Sequence, residues 1–141
     1  MNTENTKASR LELDKARVTE EEAAHAISGG YVDMAPNRLY YPAYHDVKSV
    51  LLIDGVITKS HKGAQHQFRV RLVLPGTFPE EDAQLIAHLW KDRQRADYGY
   101  YIDADIPGLR RDAKVVSEFG ARCGAYVARV ARVGGVRATT P

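Results

Sequence analysis

The chain has 141 residues, 44% of them hydrophobic, with a net charge of +2. That length suffices for one domain with one core, and so small a charge permits an anionic partner without arguing for one. A single cysteine, Cys123, excludes an intramolecular disulfide and a thiolate zinc site. No apolar run approaches the ~18 residues of a membrane span. The polar start, MNTENTKASR, lacks the apolar core of a signal peptide. A cytoplasmic protein with no membrane partner is therefore expected.

Residues 1–6 are expected to be disordered, residues 7–133 to form a single helical domain, and residues 134–141 to form a flexible tail. A first helix is predicted over 7–28, where Leu13, Ala16, Glu20, Ala23, Ala24 and Ile27 recur at helical spacing. Its small side chains suit close packing against another helix. Gly29 and Gly30 supply a stop, and Asp33 is placed to cap the next helix. That second helix is predicted over 34–54. Tyr40, Tyr44, Val47 and Leu51 form one stripe, and Tyr41, His45, Lys48 and Leu52 the adjacent one. Pro36 fits a first turn. Pro42 removes an internal hydrogen bond, so the helix either bends near 38–42 or begins later.

Residues 55–62 read as a loop, followed by a short helix over 63–74 with Phe68, Leu72 and Val73 inward, ended by Pro75-Gly76. Thr77, Pro79, Glu80 and Glu81 mark the next start, with acids in the first turn where the helix dipole favours them. This fourth helix is predicted to reach residue 98 or 99. Residues 99–107 form a loop. A last helix over 108–133 turns Leu109, Ala113, Val116, Phe119, Cys123, Tyr126, Val127 and Val130 inward. With no sustained period-two alternation, the fold class is all-α, a compact antiparallel bundle of about five helices.

The fourth helix carries the most informative stretch. Ile86, Leu89, Trp90, Arg93 and Asp97 lie on one stripe that starts apolar and ends in an arginine and an acid one turn apart. An inward polar pair costs desolvation unless it is paired or used. Two readings are open: an ion pair that closes the bundle's end, or Arg93, Asp97 and Tyr98 lining a cleft. Six of the eight tyrosines fall into two clusters, Tyr40, Tyr41, Tyr44 and Tyr98, Tyr100, Tyr101. Buried phenols need partners. The segments 40–45 and 93–98 are therefore expected to face each other. The bland reading packs the tyrosines at the bundle's edge.

Other chemistry is thinner. Glycine-rich phosphate loops are absent. His45, His61, His66 and His88 form no metal-binding pattern; His61 and His66 lie near each other beside a loop but lack a third ligand. No metal and no cofactor is expected. Cys123 falls on an apolar stripe and reads as a buried structural thiol. Arg110, Arg111, Arg129 and Arg132 suit either phosphate contact or a solvated face.

Ordered motifs add a resemblance. Leu39-Tyr40-Tyr41-Pro42-Ala43-Tyr44-His45, then Ser60-His61-Lys62-Gly63, then Arg93-Gln94-Arg95-Ala96-Asp97-Tyr98 resemble the HEPN domain family, in its small single-domain bacterial branch. The likeness covers nearly the whole chain. It implies an antiparallel bundle that forms a homodimer, and a toxin–antitoxin or defence setting. It also implies a protein partner such as a nucleotidyltransferase-type antitoxin, and RNA or a nucleotide as ligand. Arg93, Asp97, Tyr98 and His45 become the candidate catalytic residues, and Tyr40, Tyr41, Tyr44, Arg95 and Tyr100 the candidate binding residues.

Active members of that family are metal-independent endoribonucleases with an arginine followed within two turns by a histidine. Here the corresponding positions after Arg93 hold Tyr98, Gly99 and Tyr100, and those after Arg95 hold Tyr100, Tyr101 and Ile102. The usual proton carrier is missing from that helix. Binding of RNA, nucleotide or a protein partner without turnover is the expectation. The alternative is an endoribonuclease with a divergent site.

Overall fold

A computed structural model describes residues 3–97 and 105–139, with side chains to residue 133. Its elements are α1 (Thr3–Ser28), α2 (Ala35–Ile53), α3 (His61–Phe68), a π-helical turn (Arg69–Val73), α4 (Glu80–Asp97) and α5 (Ile106–Thr139). The described residues form a compact bundle of five α-helices without a strand, as the helical spacing predicts.

α2 is the central helix, packed against α1, α3, α4 and α5. Leu39, Tyr40, Ala43, Val47, Val50, Leu51 and Ile53 are buried along it. α1 closes on it through Ala16, Ala23 and Ala26, whose short side chains allow near approach. Ala24, expected inward, is exposed, and Ala26 takes its place. α5 contributes Leu109, Val116, Phe119, Cys123 and Val127, and α4 contributes Ile86 and Leu89. Phe119 meets Phe68 edge to face at 5.8 Å, tying α3 to α5.

The helix ends follow local chemistry. Gly30 adopts a φ of 75°, and the Tyr31 N–H reaches back to the Ala26 carbonyl, a glycine-ended helix stop. Asp33 does not cap α2. The carbonyl of Tyr31 instead accepts from the N–H groups of Met34 and Ala35, so the turn itself satisfies the helix start. α2 begins at Ala35 with Pro36 in its first turn and runs on through buried Pro42. Packing on four neighbours outweighs the ~3 kcal/mol that an internal proline costs.

Several boundaries differ from the sequence pattern: α5 begins at Ile106, inside the predicted loop, and α3 gives way to a π-helical turn at Arg69, short of the predicted end at 74. α1 begins at Thr3 rather than residue 7, and buried Ser9 donates to the Ser49 carbonyl at 2.8 Å, fixing its early turns on α2. α5 continues to Thr139, past the predicted end at 133, because glycine weakens a helix by only about 1 kcal/mol without ending it. α3 begins at His61, ahead of the predicted start at 63, because Ser60 is extended and its Oγ accepts from the Gly63 N–H at 2.9 Å. That last difference positions the site.

Candidate functional site

Three helices converge on one aromatic patch. α2 presents Tyr40 and Tyr44 one turn apart, with rings stacked at 5.8 Å, and Tyr41 beside them. α4 brings Trp90 to 5.1 Å from the Tyr40 ring. One turn further along α4, the Arg93 guanidinium lies over three rings: Tyr41 and Trp90 at 5.1 Å, and Tyr40 at 5.7 Å. Aromatic faces are electron-rich, so they hold a cation without consuming its N–H donors. The side chain of Arg93 is 18% exposed, and it donates no hydrogen bond among the described residues. The segments of α2 and α4 therefore do face each other.

His61, placed at the start of α3, completes the patch. Its ring stacks on Trp90 at 4.9 Å and lies 4.2 Å from Tyr44. Its Nδ1 shares a 2.9 Å hydrogen bond with the Tyr40 hydroxyl. Burial, then the positive charges of Arg93, Lys48 and His45, pushes the His61 pKa below its ordinary value. Burial raises the Tyr40 pKa, so that phenol stays neutral. The sequence offers His61 as a metal ligand beside His66, or as a solvated or capping histidine. His66 instead is exposed on the far side of α3, next to Gln65, Arg69 and Ala83. Among the described residues no group of three potential ligands could hold a metal ion. The signal that could have placed His61 was Ser60, with its hydroxyl three residues ahead of Gly63, an N-cap that makes His61 the first helical residue.

His45 looks the other way. Its Nδ1 lies 2.7 Å from Glu12 of α1, whose carboxylate is also 3.6 Å from Lys48 and 3.4 Å from Lys15. Burial would raise the Glu12 pKa, but the His45 hydrogen bond and the charges of Lys48, His45 and Lys15 outweigh it and hold the group down to about 2. His45 still borders the patch, 5.6 Å from the Tyr44 ring and 6.4 Å from Tyr41. Lys48 lies over the Tyr44 ring at 5.5 Å.

The remaining candidates divide. Asp97 is 42% exposed; its Oδ2 is 3.4 Å from Arg93 Nε without a hydrogen bond, and its Oδ1 accepts from Asn37 Nδ2 at 3.1 Å. The pair is half in water, because Asp97 ends the last turn of α4. Arg95 leaves the patch altogether. It lines a groove of about 390 Å³ between α4 and the start of α5, with Asp92, Asp105 and Arg111. Two residues along a helix is more than half a turn, which sends Arg95 and Arg93 to different faces. Tyr98 and Tyr100 lie outside the described residues.

Other reactive groups are occupied or inaccessible. Cys123 is fully buried and burial raises its pKa well above the usual thiol value, so it is not a nucleophile. Arg122 pairs with buried Asp82, and Arg129 lies over the Tyr126 ring. No helix among the described residues is long and apolar enough to cross a membrane. What the patch offers is one guanidinium, one partly buried imidazole and several partly exposed aromatic faces.

No family model matches the chain. Three curated proteins are similar to it. One, from Methanocaldococcus jannaschii, carries the name "Putative toxin MJ0142" and is 26% identical over 108 residues, covering 77% of this chain and 71% of the relative. A Thermotoga maritima protein named UPF0332 protein is 25% identical over 96 residues, 68% of this chain and 73% of its own. A Pyrococcus horikoshii protein named UPF0332 protein PH1297 is 27% identical over 81 residues, 55% of this chain and 57% of its own.

Proposed function

We propose that this chain is a toxin-type, HEPN-like module that binds RNA or a nucleotide through the patch around Arg93, Tyr41 and Tyr44. One observation carries the reading. Arg93 is held over three aromatic rings with its N–H donors uncommitted among the described residues. Guanidinium matches a phosphate's geometry, and partly exposed rings beside it offer faces on which a base can stack. The similarity to a protein named as a toxin supports the setting. In that setting the module works as a homodimer with a protein antitoxin of the nucleotidyltransferase type.

The test is fluorescence anisotropy with a labelled single-stranded RNA at two salt concentrations, for wild type, Arg93→Ala and Arg93→Lys. Wild type binds, and binding weakens as salt rises. Arg93→Ala weakens it by about tenfold or more, and Arg93→Lys recovers part of that, since charge survives but the planar fork does not. A wild-type protein that binds neither RNA nor ATP removes the reading.

A second reading, a metal-independent endoribonuclease, is favoured by the His61 imidazole beside the Arg93 patch.

A further inference from the structure

The helix that carries Arg93 lacks the histidine that would move a proton beside it. Tertiary packing brings an imidazole to the same rings from α3. Trp90 carries Arg93 over its ring at 5.1 Å and stacks with His61 at 4.9 Å. Tyr40 touches both, with its hydroxyl on His61 Nδ1 and its ring under Arg93. We infer that His61 is the proton-transfer group of this site, and that the chain cleaves single-stranded RNA at a phosphodiester held by Arg93. The inference rests on the RNA-binding reading above.

The atoms assign the role. Nδ1 of His61 is committed to Tyr40. Nε2 has no hydrogen bond among the described residues, so it is the nitrogen left to meet a ligand. Tyr40 is fully buried and remains a neutral phenol. In the tautomer that donates Nδ1–H to the phenol oxygen, Nε2 holds the lone pair that accepts a proton. The groups that face the ring are Arg93 from α4, and Tyr40, Tyr41, Tyr44, His45 and Lys48 from α2. None is an anion, so the surroundings favour the neutral ring, the form that accepts a proton at neutral pH. His45 fits less well: its Nδ1 is tied to Glu12, and Tyr41 stands between it and Arg93.

The step balances without a metal or a redox partner. The ribose 2′-oxygen attacks phosphorus while its proton passes to His61 Nε2. The bond from phosphorus to O5′ breaks, and the departing O5′ takes a proton from water. The imidazolium then returns its proton to solvent. The products are a 2′,3′-cyclic phosphate and a 5′-hydroxyl. Arg93 stabilises charge on the non-bridging oxygens but exchanges no proton. The substrate is single-stranded, because attack in line with O5′ requires a backbone free of duplex geometry and a base free to reach the rings.

The experiment uses the full chain with end-labelled single-stranded RNA in EDTA, reading cleavage and anisotropy on the same samples. Wild type is expected to cut, and an RNA with a 2′-deoxy residue at the cut site binds but survives. His61→Asn keeps an amide near Nδ1 to meet the Tyr40 hydroxyl, so it folds, and its cleavage is compared with wild type at saturating RNA. Its cleavage rate falls by about 10²–10⁴. The wild-type rate rises with pH through one ionisation below the ordinary histidine value of 6.5, and that ionisation is absent from the residual rate of His61→Asn. Imidazole in solution partly restores His61→Gly. Wild type that binds RNA and leaves it intact overturns the inference while the binding reading stands, as does His61→Asn cutting at the wild-type rate. Wild type that binds no RNA overturns both.

Discussion

Two arginines reach α2 from different helices, and they are held in opposite ways. Arg17 of α1 donates from one terminal nitrogen to both oxygens of Asp46, at 2.8 and 2.9 Å, and that carboxylate is fully buried. Arg93 of α4 rests on rings, and its nearest carboxylate, Asp97, is half exposed at 3.4 Å. In the first arrangement a half-exposed guanidinium reaches a buried carboxylate, and also lies 3.0 Å from Glu20, which fixes α1 on α2. In the second the cation is positioned without its donors being used. An ion pair onto a buried carboxylate marks a structural joint, and an arginine parked on aromatic faces marks a surface ready to bind.

The largest expected effect breaks the first arrangement. Arg17→Ala leaves Asp46 buried without its cation. Burial has already raised the Asp46 pKa to about 7 against the opposing pull of Arg17, so the residue then takes up a proton rather than stay charged. A loss of about 3 kcal/mol in urea unfolding is expected, with RNA binding retained by the folded fraction. Arg93→Ala should show the converse, about 1 kcal/mol in stability and most of the binding. Equal destabilisation by the two substitutions would remove the contrast.

pH sharpens the comparison at the joint's other anion. Glu12 has its folded pKa depressed from 4.5 to about 2. A depressed carboxylate contributes stability that is present above pH 4.5 and is lost as pH falls toward 2. The contribution is at most about 3 kcal/mol, and less where solvent reaches the site. Wild type should therefore lose melting temperature between pH 4.5 and 2 more steeply than Glu12→Gln. Parallel curves for the two proteins would show that the Lys48 and His45 contacts contribute nothing.

The smallest effect is at Asp97. Sequence reading placed it inward, where its removal would cost about 1–3 kcal/mol by stranding a buried partner. Its 42% exposure and its place in the last turn of α4 lower the expected cost of Asp97→Ala to about 0.5 kcal/mol or less. A larger loss in thermal unfolding would show that Asp97, like Asp46, belongs to the frame.

What the sequence determined by itself was local. Helical spacing marked the helices, and Gly29-Gly30, Gly55 and Pro75-Gly76 ended them where φ or hydrogen bonding requires. The stripe from Ile86 to Arg93 announced which face of α4 turns inward, because residues three and four apart share a face whatever the rest of the chain does. The Tyr40 segment and Arg93 are read as neighbours because buried phenols and an inward guanidinium each need a partner. The tertiary structure decided the partners across helices. His61 meets Tyr40 across 21 residues, Arg17 meets Asp46 across 29, and His45 meets Glu12 across 33. Those meetings depend on crossing angles and axial offsets, which core packing sets and no local pattern encodes. The same packing keeps α2 helical through Pro42, sends Arg95 to another groove and sets the His61 imidazole where α4 lacks one.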